Sequence, residues 1–236
     1  MKRIRVVIAV ATPLWDESVS REMNRFKDPD TELEIVHLDR GPESIEDAFD
    51  DVWAAQGTLQ EVLRAEQEGC QGVIIYCYAD PALHAAKIGV RIPVVGLGEA
   101  SAHFASLLGP RFGIITVGPP DSGGWLLDMD NLRVHELDHK CVGVKTIGIP
   151  VLGLAGGERV KERVVEAGRD LMSEGATVLT LGCGSLFSMA DAVSAELGVP
   201  VILPAAAALK LCEAMIVMGV AQSKRAYTPP AEKNRC

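Results

Sequence analysis

The chain has 236 residues, 48% of them hydrophobic and 23% charged, which is the composition of a globular protein able to bury a substantial core. A formal net charge of −9 argues against nucleic acid or an anionic membrane surface as a main partner. No segment approaches the ~18 consecutive apolar residues of a membrane span. The apolar stretch at residues 4–11 is too short for a signal peptide and has no small-residue cleavage site. The cysteines at 70, 77, 141, 183, 212 and 236 show neither CxxC spacing nor a histidine at finger spacing. They predict free thiols in a cytoplasmic protein rather than structural zinc or a disulfide framework.

In chain order, strands are expected at Ile4–Ala11, Glu34–Leu38, Val73–Cys77, Val94–Leu97, Gly113–Val117, Val142–Ile149, Val178–Leu181 and Val201–Leu203. These runs are apolar at nearly every position, which suits parallel sheets covered on both faces. Between them, Ser44-Ile45-Glu46-Asp47 reads as a capping box that opens a helix. Asp80-Pro81 reads as an N-cap followed by proline at the first helical position. Further helices are expected over 99–108, 159–174, 186–197 and 205–220. The alternation predicts an α/β fold with right-handed crossovers. The end of the chain from Tyr227 reads as a frayed tail.

An internal repeat organises these elements. Cys77 lies nine residues after Glu68-Gly69, at the end of an apolar run, and Cys183 lies nine residues after Glu174-Gly175 in the same setting. A Pro-Val pair follows each, at Pro93-Val94 and Pro200-Val201. The repeat predicts two similar lobes, residues 1–100 with 216–236 and residues 101–215, related by a pseudo-twofold. Ligands of open parallel sheets bind beyond the carboxyl ends of strands, and both cysteines occupy that edge.

Two matched thiols facing one cleft suit an enzyme that moves a proton from one face of a carbon to the other. One thiolate acts as base and one thiol as acid, with the roles exchanged for the opposite enantiomer. No metal or cofactor is needed. The helix start at Asp80-Pro81 is expected to favour a Cys77 thiolate through its exposed N–H groups. Ser185 is expected to cap the helix after Cys183. The backbone amides of Tyr78, Ala79, Gly184 and Ser185 are assigned to the developing enolate oxygen.

Gly96-Leu97-Gly98 begins like a dinucleotide fingerprint but lacks the third glycine, so nicotinamide binding is discounted. The glycines between 153 and 157 lack a Lys-Ser/Thr pair and read as a flexible connection that closes over the cleft. His84, His103, Glu99 and Lys210 read as surface or helix-pairing residues, Cys70, Cys141 and Cys212 as packing residues, and Cys236 as part of the tail.

The segments Gly-Pro-Glu-Ser-Ile-Glu (41–46), Val-Ile-Ile-Tyr-Cys-Tyr-Ala-Asp-Pro-Ala (73–82), Ile-Pro-Val-Val-Gly-Leu-Gly-Glu-Ala (92–100) and Leu-Gly-Cys-Gly-Ser-Leu (181–186) resemble the hydantoin racemase branch of the aspartate/glutamate/hydantoin racemase superfamily. The resemblance covers nearly the whole chain and is weakest over 118–145. It implies a two-lobed α/β fold, an active site between lobes, a homo-oligomer, and cofactor-independent proton transfer by two cysteines that map onto Cys77 and Cys183. Its substrate would be a small molecule, a 5-substituted hydantoin or related cyclic ureide, positioned by Thr12, Tyr78, Thr116, Val117 and Ser185. The chain departs from the branch at Ala9-Val10-Ala11-Thr12 and at Thr116-Val117, where polar residues are usual. A more apolar pocket keeps a maleate-isomerase-like or arylmalonate-decarboxylase-like reaction open, as well as an intracellular ligand-binding role.

Overall fold

Runs of valine and isoleucine that are apolar at consecutive positions cannot leave either face in water, so they become strands covered on both sides. The structure, a computed structural model that describes residues 1–231 and 233, builds two four-stranded sheets from such runs. The first holds β1 (Lys2–Ile8), β2 (Thr31–His37), β3 (Gly72–Tyr76) and β4 (Val94–Gly96) in the order β2-β1-β3-β4. The second holds β5 (Phe112–Thr116), β6 (Cys141–Thr146), β7 (Val178–Leu181) and β8 (Val201–Ile202) in the order β6-β5-β7-β8. Every pairing is parallel.

The repeat extends to individual hydrogen bonds. The Gln71 N–H donates to Arg3 O at 2.7 Å, and the Thr177 N–H to Arg111 O at 2.9 Å. The Val73 N–H donates to Pro93 O at 2.9 Å, and the Leu179 N–H to Pro200 O at the same distance. Side chains of the first sheet alternate between two cores, as strand geometry requires. Ile4, Val6 and Ile74 face one side, and Val7, Val73 and Ile75 the other.

The helices are α1 (Asp16–Phe26), α2 (Ala48–Gln67), α3 (Leu83–Gly89), α4 (Leu97–Leu108), α5 (Gly124–Val134), α6 (Glu158–Ser173), α7 (Ala190–Leu197) and α8 (Pro204–Met218). Of these, α1 and α5 were not expected from the sequence. α2 starts after Asp47 rather than at Ser44. The Asp47 carboxylate accepts from the Phe49 and Asp50 amides at 2.9 and 3.1 Å, whereas the Ser44 hydroxyl turns to Glu46. α3 starts at Leu83 because Asp80 and Ala82 both take positive φ, 55° and 60°, a conformation that a right-handed helix cannot include. α7 starts late for the same reason, since Ser188 has φ 55° and leaves residues 186–189 as a turn.

α8 buries Ala205, Ala208, Leu209 and Cys212 against Ile4, Val6 and Ile74 of the first sheet. The chain therefore returns to the first lobe at Leu203-Pro204, not after residue 215 as the repeat suggested. Beyond α8 it remains strapped to that lobe. The Gln222 side-chain amide donates to Val90 O and Ile92 O at 3.1 and 2.8 Å, and the Tyr227 ring lies 5.1 Å from the His84 ring. Tyr227, where the tail was expected to begin, thus packs on the first lobe, while Glu232, Asn234, Arg235 and Cys236 lie outside the described residues. Among the described residues no helix is long and apolar enough to cross a membrane.

Candidate active site

Because both sheets are parallel and repeat one order, the carboxyl ends of β1, β3, β5 and β7 converge on one interlobe cavity. Its wall includes Cys77 and Tyr78 after β3, Thr116 and Val117 at the end of β5, and Cys183, Gly184 and Ser185 after β7. Ala79 lines it as well. Ile8, Val10, Trp15, Val19 and Ile45 form an apolar side. Thr12 does not line it. Its hydroxyl accepts from the Leu14 amide at 3.3 Å and caps the short turn Pro13–Trp15, because a threonine before proline is better placed to cap than to reach inward.

The two thiols share a local arrangement. The Ser185 N–H points at Cys183 Sγ across 3.4 Å, and the Ala79 N–H stabilises the Cys77 thiolate in the same relation, two residues on. These two amides lie beside the sulfur atoms as well as in the cavity wall. The expected thiolate at Cys77 is corrected. α3 begins six residues on with no side-chain cap, and burial drives the Cys77 thiol well above its ordinary value. Burial likewise raises Cys183, to about 11. Burial therefore holds both groups as thiols.

Asp80 neither caps its own helix nor faces the cavity. Its carboxylate accepts from the amides of Gly98 at 3.0 Å and Glu99 at 2.7 Å, capping α4 instead, and from the Asn131 side chain at 2.9 Å. Burial raises it to about 7 against those three donors. The Gly96-Leu97-Gly98 spacing serves this contact, since a Cβ at 96 would collide with the Asp80 carboxyl and one at 98 with Tyr78 O. The Tyr78 ring packs against Ala102, Phe112 and Leu132 in a core on the second sheet, its hydroxyl 3.5 Å from Thr180 Oγ1. Its backbone is therefore what meets the cavity.

Each cysteine loop is held by the opposite lobe. Asn131 of α5 donates to Tyr78 O at 3.1 Å as well as to Asp80. In the other direction the Tyr76 hydroxyl donates to Gly184 O at 3.1 Å. The buried Glu22 of α1 accepts from the Ser188 amide at 2.9 Å and from its hydroxyl at 3.1 Å.

The cavity also holds polar groups that sequence reasoning missed. Glu46 accepts from the Val151 amide at 3.1 Å, tying the turn Val151–Gly156 to the first lobe. Asp128 of α5 lines the wall, is 4% exposed, and has burial raising it to about 8. Its only sequence signal was an acidic residue within an apolar stretch, Trp-Leu-Leu-Asp-Met, that carries no clear helical spacing.

Other residues weighed in the sequence lie elsewhere. Glu99 pairs with Lys87, and Lys210 with Asp28 and Glu213. Cys70 lies 3.6 Å from Glu34, Cys141 lies 3.3 Å from Gly143 O, and Cys212 is core. Glu99, His103 and His135 bring ligand-type atoms within 4.8 Å of one another outside the cavity, where Lys87 already neutralises the glutamate.

Comparison with known proteins follows the same lines. The profile of the Asp/Glu/Hydantoin racemase family matches residues 15–212. The hydantoin racemase of Pseudomonas sp. (strain NS671) is 30% identical over 237 residues, covering 98% of this chain and 93% of that protein. That of Paenarthrobacter aurescens is 31% identical over 244 residues and covers 98% of both. Allantoin racemase from Klebsiella pneumoniae superposes with a TM-score of 0.92 at 30% identity, over 100% of this chain and 96% of that one.

Proposed function

The chain belongs to the Asp/Glu/hydantoin racemase family, and from that premise we propose that it racemises 5-substituted cyclic ureides by 1,1-proton transfer between Cys77 and Cys183. It is an isomerase. The observation that carries the two-thiol mechanism is the paired setting of the cysteines. Each follows an equivalent strand, each has a backbone amide two residues on that favours its thiolate, and both line one cavity.

Once Cys77 has released its own proton to water, its thiolate takes the C5 proton in one direction, and the electron pair of the broken C–H bond moves onto the adjacent carbonyl oxygen as an enolate. The Cys183 thiol then delivers its proton to the opposite face of C5. The enantiomer reacts with the roles exchanged, so thiols of similar basicity suit both directions. The Ala79 and Ser185 amides steady the two thiolates in turn, and the Tyr78 and Gly184 amides serve the enolate oxygen. No cofactor enters the reaction. Ile8, Val10, Trp15 and Val19 form a wall suited to an apolar C5 substituent, which favours alkyl or aryl hydantoins over the polar ureido group of allantoin. A cytoplasmic homo-oligomer completes the reading. Its exposed, stacked Phe49 and Trp53 supply an apolar contact patch, and a monomer in sedimentation would overturn that part.

The test is exchange and inversion at C5. One enantiomer of 5-benzylhydantoin in deuterated buffer should lose its C5 proton signal and its optical activity well above a protein-free control. Allantoin should react more slowly. Cys77→Ser and Cys183→Ser should each cut inversion at least ~1,000-fold, because a serine hydroxyl is a far weaker base at neutral pH. Absence of exchange in the wild type, or full inversion by either variant, overturns the mechanism.

A further inference from the structure

Asp128 stands in the cavity wall beside Thr116, with one of its carboxyl oxygens left without a hydrogen bond. The Thr116 hydroxyl lies against the carboxyl and also stands 3.4 Å from Gly182 O. Asp128 Oδ2 is sealed from water and has no hydrogen-bond partner, although the residue is 96% buried. An orphaned buried oxygen is costly, and in a ligand cavity it marks where a ligand atom completes the bonding.

We propose that Asp128 is the residue that reads the ring, pairing its carboxyl group with one amide edge of the cyclic ureide. In a five-membered ring each N–H is held cis to the neighbouring C=O. A carboxylic acid is the complement of that edge, since its O–H donates to the carbonyl while its other oxygen accepts from the N–H. The surroundings keep the acid protonated around neutral pH. Desolvation is the largest cause, Asp80 adds repulsion, and the other groups that share its field are Tyr78, Cys141 and Cys183, none of them a cation. A free carboxylate can use only the O–H half of this pairing and sets its second oxygen against the acid's acceptor oxygen, so the residue selects amide rings, which use both halves. The inference rests on the cyclic-ureide reading above and adds the group that recognises it.

The experiment is calorimetric binding of 5,5-dimethylhydantoin, which has no C5 proton and so probes recognition apart from proton transfer. The wild type should bind it at least tenfold more tightly than 1,3,5,5-tetramethylhydantoin, whose N–H groups are blocked. Asp128→Leu, similar in size, should lose at least tenfold in affinity and no longer distinguish the two compounds. Asp128→Asn keeps a donor and an acceptor in the same places, so it should restore the discrimination. It should also bind equally on either side of pH 8, where the wild type weakens as the acid ionises. Unchanged affinity in Asp128→Leu, or equal wild-type binding of the two compounds, overturns the inference while leaving the cyclic-ureide reading intact. Failure of the wild type to bind 5,5-dimethylhydantoin at all overturns both.

Discussion

The two cysteine loops descend from one repeat yet are stabilised by different chemistry. After Cys77 the chain turns sharply through two residues of positive φ, and Asp80 locks the turn onto the amino end of α4 and onto Asn131. After Cys183 the chain makes a longer loop before α7, held at Gly184 by Tyr76 and at Ser188 by Glu22. The lesson is that the repeat preserved the position of the sulfur and its neighbouring N–H, while each lobe recruited the other to hold its loop. Misplacing a reacting group by about 1 Å can slow a reaction ~100-fold, so these braces bear on rate as well as on stability.

Unequal distance from the sulfurs predicts unequal effects. Asn131→Ala removes the donor to Tyr78 O, the carbonyl next to Cys77, and should lower the inversion rate constant ~30-fold, equivalent to about 2 kcal/mol. Glu22→Ala releases Ser188, farther along its loop, and should lower it ~5-fold, about 1 kcal/mol. Steady-state polarimetry on the two variants checks the ranking, and an equal or larger effect from Glu22→Ala would break the comparison.

Charge sharpens it next. Asp80 beside the first loop and Asp128 beside the second have folded values of about 7 and about 8, both above the ordinary 3.8. The folded state binds these protons more tightly than the unfolded chain. Each acid therefore contributes stability that is fully present below pH ~4 and lost as pH rises through its folded value. Asp128→Asn escapes the second loss. Its margin over the wild type should grow from nothing near pH 4 to several kcal/mol above pH 8, seen as a higher melting temperature on the alkaline side only. A margin independent of pH in thermal melts would contradict the burial of an ionisable group there. The smallest expected effect is that of Tyr76→Phe, which removes one neutral hydrogen bond to Gly184 O. It should lower stability by about 1 kcal/mol in denaturant titration and leave the Asn131 brace untouched.

How much of this was legible depends on how local each signal is. The eight strands were readable because a strand buried on both faces writes its own apolar run, and the cysteine repeat because matched strands end in matched ways. α5 was not. It opens at Gly123-Gly124 without a side-chain cap, and its Trp125-Leu126-Leu127 run gives no amphipathic spacing. Asp128 and Asn131, which shape the cavity and the Cys77 loop, were hidden with it. Asp80 announced itself as a cap, but the helix it caps begins at Leu97, far along the chain from the one that follows it. Thr12 illustrates the converse, a polar residue at the right strand end whose hydroxyl is used by its own turn.

By itself the amino-acid sequence determined the parallel α/β repeat and the two sulfurs at equivalent strand ends, because apolar runs and turn residues act over a few neighbours. Only the tertiary structure decided what surrounds those sulfurs. Desolvation keeps both as thiols, α8 returns to the first lobe, the lobes brace each other's loops, and a buried acid joins the cavity wall. Burial and hydrogen-bond partners are set by residues distant in sequence, and no local pattern records which of them will meet.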